Sequence, residues 1–301
     1  MTATAASGTR LSAPEGGLGR KRIRWADLLF SLVLRACVIT AVLFLVVLIG
    51  YVLIEGWSRL DLRLLTEFAS IRRPEQAGAQ AALWGTIWLI GLVALFCLPT
   101  GVLAAVYLEE YANPNTWYNR LLELNISNLA AVPSIVYGIL GLGILARGLG
   151  LGFTLVTGAL TLSLLVLPVV IIASREAIRA VPSSLREASY GLGATRWQTV
   201  WRTVLPAAVP GIATGSILAL SRAAGEAAPL LLLGGLTFVS FNPDGLLSQY
   251  TALPIQIYGW IAQSRPEFHA LASAGIVLML VVILTMNSAA IFIRNRYQRH
   301  R

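Results

Sequence analysis

The chain has 301 residues, of which 56% are apolar and only 12% are charged, and its mean hydropathy is +0.73. The charged fraction is about half that of an ordinary soluble domain, which excludes a water-soluble globular protein. The net charge of +9 is compatible with nucleic-acid binding, but the long apolar runs indicate instead that the basic residues mark one side of a membrane.

The predicted elements begin with a polar tail. Residues 1–28 end in a basic cluster and predict a disordered cytoplasmic tail, because the segment has too few apolar residues to form a core. Six apolar runs then predict six transmembrane helices, each close to or above the ~20 residues needed to cross a bilayer. We place them at about 28–54, 81–108, 129–146, 153–174, 207–235 and 271–293.

The chain is therefore predicted to be an all-α, polytopic membrane protein. Residues 29–80 hold the first transmembrane helix and an outer loop, residues 81–293 form the transmembrane core, and residues 294–301 form a basic cytoplasmic tail. Within the core, loop 109–128 is short and acidic, and segment 236–270 is predicted to be a long outer loop.

The distribution of Lys and Arg orients these helices. Six spans put both termini on one side, together with loop 109–128 and residues 175–206. That side carries fifteen Lys and Arg residues outside the spans, whereas the opposite side carries six. The positive-inside rule therefore predicts that both termini and residues 175–206 are cytoplasmic.

Residues 175–206 interrupt the apolar chain with five arginines and predict two short helices joined by a turn. Ser184 with Glu187, and Thr195 with Gln198, have the spacing of two capping boxes. Between them lie two glycines that can adopt positive φ without steric cost, Gly191 and Gly193.

The second of these helices carries aromatic surface. Its apolar positions recur at i, i+3, i+4 and i+7, which is one helix face: Trp197, Val200, Trp201 and Val204. Pro206 can open the next element at its first turn. A charged helix–turn–helix of this kind calls for a protein partner or the membrane surface.

The fifth span contains two ionisable residues, Arg222 and Glu226, at i and i+4 on one helix face. An arginine near mid-membrane costs about 3 kcal/mol or more on insertion scales, so it is rarely there by accident. In one interpretation the two residues neutralise each other and stabilise the bundle. In the other they line a polar path, where Arg222 donates to an oxyanion such as phosphate. Gly225 and Pro229 are expected to break the helix here, as is common where backbone lines a cavity.

Part of the arginine-rich stretch resembles a known motif. Glu187-Ala188-Ser189, three residues, Gly193, nine residues and Thr203-Val204-Leu205-Pro206 resemble the EAA loop of ABC-importer permeases, with Ser189 and Thr203 in place of Ala and Ile. In that family the loop is the coupling helix that docks in a groove of the cytoplasmic ATPase. The resemblance implies a type I ABC-importer permease (MetI-like) fold. It also implies ATPase-coupling roles, in which Glu187 and Gly193 shape the coupling helices and Trp197 and Trp201 pack them. The full coupling set is Glu187, Ala188, Gly193, Trp197, Trp201, Leu205 and Pro206.

Three further segments are similar to the PstA-type permeases of bacterial phosphate importers. They are AVPSIVYG at 131–138, RAAGEAAPLL at 222–231 and SQYTALPIQIYGW at 248–260. The resemblance implies that the chain forms the phosphate path together with a homologous PstC-type permease in the bacterial cell membrane. A PstS-type binding protein would deliver phosphate from outside, and two PstB-type ATPase subunits would carry ATP and Mg, so this chain would hold no cofactor and be no enzyme.

Other functions compete with this one or are excluded. The chain has no G-x-x-x-x-G-K-[ST] motif and its only lysine is Lys21, so it does not bind ATP in a P-loop. His269 and His300 are isolated, and we expect no metal site. A same-fold permease for sulfate, molybdate or another anion stays open. An intramembrane enzyme or a secondary transporter would need catalytic groups in several spans or inverted repeats, and a structural or sensory subunit would not need Arg222.

Overall fold

A computed structural model describes residues 25–113, 115–233, 235 and 238–299. This part of the chain is helical and contains no β-strand. It divides into two compact units, Met1–Gly50 and Tyr51–Arg301. The predicted tail 1–28 lies outside the described residues as far as residue 24, and residues 25–28 are already helical rather than part of a tail.

Helix α1 (Trp25–Gly56) carries the first apolar run. In the first unit its described side chains are almost all exposed, and most of them are apolar. With 32 residues and a rise of about 1.5 Å per residue, α1 is about 48 Å long, which exceeds the hydrocarbon thickness of a bilayer. An exposed apolar surface on a helix of this length is typical of a lipid-facing transmembrane helix.

The second unit contains the remaining helices, which we number in chain order. They are α2 (Arg63–Thr66), α3 (Gln80–Val106), α4 (Trp117–Ala130), α5 (Ser134–Leu140), α6 (Leu155–Arg179), α7 (Ser183–Gly191), α8 (Arg196–Thr199), α9 (Leu205–Gly225), α10 (Ala228–Leu232), α11 (Leu253–Ile261) and α12 (Pro266–Arg299). Wider, π-helical turns extend α3 over Tyr107–Tyr111 and α5 over Gly141–Gly148, and join α8 to α9 over Val200–Val204.

Five of the described helices are long and apolar enough to cross a membrane, and the number of spans is six when a bent pair of helices is counted as one span. The five are α1, α3, α6, the continuous helix of α8 and α9, and α12. The bent pair consists of α4 and the extended α5, which meet at 107°. The prediction of an all-α protein with six transmembrane segments is therefore confirmed.

The third predicted span differs from the structure in shape. One helix was expected over residues 129–146, but α4 ends at Ala130 and α5 begins at Ser134. Pro133 lies between them. Pro133 has no N–H and its ring disfavours helical backbone at Val132, so it favours a break in the helix at this point.

The fifth predicted span, 207–235, is also interrupted. Helix α9 ends at Gly225, Glu226 is extended (φ −80°, ψ 113°), and α10 begins at Ala228 with Pro229 in its first turn. The predicted break at Gly225 and Pro229 is thus confirmed, since glycine is a weak helix former and proline cannot donate to the preceding turn.

The outer segment 236–270, which was predicted to be a loop, is partly helical. Segment 236–270 contains α11, and α12 begins at Pro266, before the expected start of the last span at residue 271. Helix α11 is buried against α3 and α12. Its nine residues are too few and too uniformly apolar for periodicity to distinguish a helix from another buried segment.

The core is built on the close approach of α3, α6 and α9. On α9, Gly211 and Gly215 face Ala177 and Ala173 of α6, and a Cβ on these glycines would lie only 2.6 Å and 2.3 Å from the alanine Cβ atoms. Small residues at four-residue spacing on both helices allow this approach, as in other membrane helix pairs. The descending pairs also show that α6 and α9 run antiparallel.

Two segments that the sequence analysis singled out meet where α5 packs on α10. A Cβ on Gly138 would lie 2.7 Å from the Cα atom of Pro229 and 3.0 Å from its carbonyl oxygen. Both are backbone atoms, which cannot rotate away as the end of a side chain can. The absence of a side chain at Gly138 therefore allows the backbone at Pro229, just after the break, to pack closely against α5.

We expect Gly138→Ala to destabilise the solubilised chain by about 1–3 kcal/mol, because the added methyl group overpacks the contact with Pro229. The matched control is Gly143→Ala, since no atom lies within 4 Å of a Cβ at that position. The control should be neutral or slightly stabilising. The measurement is the temperature at which half of the detergent-solubilised protein leaves the monodisperse peak in size-exclusion chromatography. Equal midpoints for the two variants would contradict the packing.

Candidate functional site

Helices α7 and α8 form the charged helix–turn–helix that the sequence predicts. The Gln198 amide donates to Thr195 Oγ1 at 3.4 Å, and the Thr195 amide donates to Gln198 Oε1 at 2.9 Å. The capping box at Thr195 is therefore confirmed. Gly193, with φ of +80°, supplies the left-handed residue of the turn, whereas Gly191 is the last residue of α7.

The first predicted capping box is wrong. Helix α7 begins at Ser183 after Pro182, and no side chain caps it. Ser184 therefore lies inside the first turn instead of at the N-cap. Glu187 lies five residues after the N-cap residue, Pro182, which is too far for its side chain to reach the N-cap backbone. Glu187 and Ala188 are both exposed on α7.

The second coupling helix is long rather than short. Through the wide turn Val200–Val204, α8 continues into α9 and makes one helix from Arg196 to Gly225. Pro206 lies in the first turn of α9, as predicted. Because Pro206 has no N–H, the preceding turn lacks one hydrogen bond of the regular ladder. The continuous helix from Arg196 to Gly225, which we call the rod of α8 and α9, begins just after the turn at Gly193 and ends at the break at Gly225.

The predicted apolar face of this helix divides into two parts. Val200 and Val204 are buried in a cluster with apolar residues of α3, α6 and α9. Trp197 and Trp201 are 61% and 38% exposed, and their ring centroids are 5.0 Å apart. The valines therefore pack in the core, and the two tryptophans, whose rings are tilted by 51°, remain on the surface.

The C-terminal end of α3 is an ionic centre that the sequence analysis did not predict. Glu109 accepts hydrogen bonds from Arg175 Nε at 2.7 Å and Arg179 Nη2 at 2.7 Å. Arg175 Nη2 also donates to Glu123 Oε1 of α4 at 2.6 Å. The carboxylates of loop 109–128 thus connect α3 and α4 to the last turns of α6.

A neighbouring pair reaches α7. Arg186 donates to Glu110 Oε1 from Nε at 3.1 Å and from Nη2 at 2.8 Å. The only signal in the sequence was the acidic excess of loop 109–128 on the same predicted side as the five arginines of 175–206. Pairings across more than fifty residues have no local spacing rule, so the partners were not predictable.

Arg222 and Glu226 lie at the break between α9 and α10. Arg222 Nε is 3.4 Å from Glu226 Oε1, and the side chains are 50% and 20% exposed. Glu226 follows the end of α9, so the pair bridges a helix end instead of lying on one continuous helix face as predicted.

Contacts between α9 and α12 show the depth of Arg222. Arg294 Nη1 donates to Thr214 Oγ1 at 2.7 Å, and Ser221 Oγ donates to Asn287 Oδ1 at 2.5 Å. The two contacts are seven residues apart on each antiparallel helix, which corresponds to about 10 Å. Arg294 begins the basic segment predicted to be cytoplasmic. Arg222 therefore lies roughly two to three helical turns from that level, toward the interior of the span.

The environment of Arg222 leaves it available for a ligand. Among the described residues its side chain makes one hydrogen bond, the long contact with Glu226. A guanidinium has five N–H donors, so most of them are open to an oxyanion. In the same part of the chain, no group of three or more His, Cys, Asp and Glu residues is placed to hold a metal ion.

The chain is similar to known transport proteins along most of its length. "Probable ABC transporter permease protein YqgI" of Bacillus subtilis (strain 168) is 35% identical over 267 residues, which cover 85% of this chain and 90% of the relative. "Phosphate transport system permease protein PstA 1" of Mycobacterium tuberculosis (strain CDC 1551 / Oshkosh) is 37% identical over 223 residues, which cover 73% and 72%.

Solved structures share the fold. A chain of the MetNI methionine ABC transporter in an inward-facing conformation superposes with a TM-score of 0.57 at 20% identity, over 71% of this chain and 93% of that chain. A chain of a bacterial alginate ABC transporter superposes with a TM-score of 0.60 at 18% identity, over 88% and 95%. At these identities the likeness shows the fold alone, and it confirms the predicted type I ABC-importer permease (MetI-like) fold.

A family model for the binding-protein-dependent transport system inner membrane component matches residues 97–299. The match includes the helix–turn–helix of α7 and α8, the rod of α8 and α9, and the break at Arg222 and Glu226. The chain therefore belongs to the family of binding-protein-dependent transport system inner membrane components, the permeases of ABC importers.

Proposed function

We propose that this multi-pass membrane protein is the permease subunit of an ATP-driven importer of inorganic phosphate, where it forms half of the translocation pathway. The observation that carries the proposal is Arg222, a half-exposed arginine inside an apolar span whose side chain makes one long hydrogen bond to the described residues. Exposure to lipid would cost about 3 kcal/mol or more, so such a side chain faces a polar path or a protein partner. Relatives named as phosphate permeases support phosphate as the substrate.

The geometry suits transient binding of an oxyanion. The planar fork of Arg222 offers bidentate donors to a tetrahedral anion. Glu226 is close enough to hold Arg222 between passages, yet the contact of 3.4 Å is at the long end for a charge-assisted bond. An anion can therefore compete for Arg222 and still be released when the path changes conformation.

The exposed surfaces of this chain indicate which partners it would need. A PstC-type permease would face the exposed side of Arg222 and complete the path. The surface of α7 and α8, with exposed Glu187, Trp197 and Trp201, would dock on a PstB-type ATPase dimer that carries ATP and Mg. A PstS-type protein would deliver phosphate from the other side of a bacterial cell membrane, with both termini of this chain in the cytoplasm. The chain itself would hold no cofactor, catalyse no reaction and bind no nucleic acid.

Arg222→Gln is expected to lower ATP-dependent phosphate uptake on the order of 10- to 100-fold, because a hydrogen bond to a charged group is worth about 1.5–3 kcal/mol. Uptake is measured in vesicles that contain the complete transporter, with co-purification of the partners as a check on assembly. Arg265→Gln is the matched control, because Arg265 is exposed and its contact with Glu267 is 3.6 Å long. Uptake near the unmodified rate in the Arg222 variant would contradict the proposal.

Competition with unlabelled sulfate and molybdate tests the alternative substrate in the same vesicles. The fork of Arg222 fits these oxyanions by shape, so arginine alone does not select among them. We expect phosphate to compete with labelled phosphate far more strongly than either of the other two. Stronger competition by sulfate or molybdate would assign the chain to another oxyanion.

The double variant Arg222→Gln, Glu226→Gln separates the two interpretations of the pair. If the residues only neutralise each other, removing both charges restores assembly and uptake. We expect the double variant to assemble and its uptake to stay low, because the path still lacks its guanidinium. Restored uptake in the double variant would make the pair structural.

A further inference from the structure

Helix α7 is attached to the rest of the protein without a buried side chain of its own. None of its residues is buried, and Leu185 and Tyr190 are exposed. Its side-chain hydrogen bonds to other elements in the described part of the chain come from two residues, Ser189 and Arg186. Ser189 Oγ lies 2.9 Å from Thr199 Oγ1 of α8. The remaining side-chain hydrogen bonds are those of Arg186.

Four of the five N–H donors of Arg186 make hydrogen bonds. Besides its two bonds to Glu110, its Nη1 donates to the Val181 carbonyl at 2.6 Å and its Nη2 to the Ile178 carbonyl at 2.9 Å. The Glu110 side chain is only 7% exposed, and that of Arg186 is 20% exposed. Losing one partner would leave the other charge unpaired in a poorly solvated site, which is strongly unfavourable. The end of α3 and α7 are therefore expected to move together.

The neighbouring carboxylate provides an internal contrast. Glu109 is also at the end of α3, but its arginine partners Arg175 and Arg179 belong to α6. Glu109 therefore connects two transmembrane helices, and Glu110 connects a transmembrane helix to a surface helix. Although Glu109 and Glu110 are adjacent, they thus connect α3 to different helices.

We propose that the Glu110–Arg186 ion pair is the link that transmits displacement of α7 by the ATPase to transmembrane helix α3. The proposal rests on the ATPase-coupling role of α7 proposed above, but not on phosphate being the substrate. Glu110 and Arg186 are positioning residues, because they act through α3 and α7. The continuous helix from Arg196 to Gly225 connects α8 to the transmembrane core through its backbone. Helix α7 is connected to α3 through the ion pair.

The test is the number of substrate molecules transported per ATP hydrolysed, measured in vesicles with the complete transporter. Glu110→Gln keeps the shape of the side chain and removes its charge. We expect the ratio to fall roughly 2- to 30-fold, the usual range for altered coupling between sites, with the partners still assembled. Glu110→Asp keeps the carboxylate and should keep most of the ratio.

Two comparison variants distinguish a link from a general loss of stability. Glu109→Gln breaks the adjacent ion pairs without touching α7, and it should lower the yield of complex but leave the ratio unchanged. Glu176→Gln removes an exposed partner of Arg179 and should change neither. An unchanged ratio in Glu110→Gln, or an equal fall in Glu109→Gln, would overturn the proposal.

Hydrogen exchange in the full purified chain tests the anchor without any substrate. We expect the backbone amides of 183–191 to exchange faster in Glu110→Gln than in the unmodified chain, and those of α6 to exchange at the same rate. Unchanged exchange in α7 would show that Arg186 does not hold it. If the unmodified transporter hydrolyses ATP but moves no phosphate, the proposal that phosphate is the substrate is wrong. The exchange experiment still tests whether the Glu110–Arg186 ion pair anchors α7.

Discussion

Two adjacent carboxylates at the C-terminal end of α3 constrain the end of the molecule where α3, α6 and α7 meet. Glu109 and Glu110 repel each other, and they lie at the negative end of a helix dipole, where acidic groups are unfavourable. They are stable there because arginines of α6 and α7 donate to them at 2.7–3.1 Å. The arginine-rich stretch is thus an electrostatic requirement of α3. The arrangement ties the ends of three helices to one another.

The rod formed by α8 and α9 joins this end to the transmembrane path. It begins at the turn around Gly193, packs on α6 through Gly211 and Gly215, and ends beside Arg222. Because the glycines bring the two backbones together, α6 and α9 are expected to move as a packed pair instead of sliding past each other. A displacement of the turn around Gly193 is therefore expected to reach the break after α9, where Gly138 packs closely against Pro229.

Arginine has two different uses in this structure, and its surroundings distinguish them. Arg186 is mostly buried and makes four hydrogen bonds, so it has little capacity for a ligand. Arg222 is half exposed and makes one long hydrogen bond among the described residues, so most of its N–H donors have no partner in that part of the chain. Residue type alone would not separate the two, although the apolar neighbours of Arg222 already mark it as unusual.

The amino-acid sequence by itself determined the fold class, the number of spans, the capping box at Thr195 and the break at Gly225, because apolar run length, capping residues, glycine and proline act locally. It also singled out Arg222, because a charge in an apolar run is costly wherever the helix packs. The tertiary structure alone decided that α4 and the extended α5 meet at 107°, that α11 is a buried helix, and that Glu109 and Glu110 pair with Arg175, Arg179 and Arg186. These features depend on which distant surfaces meet, and no local spacing of residues encodes that.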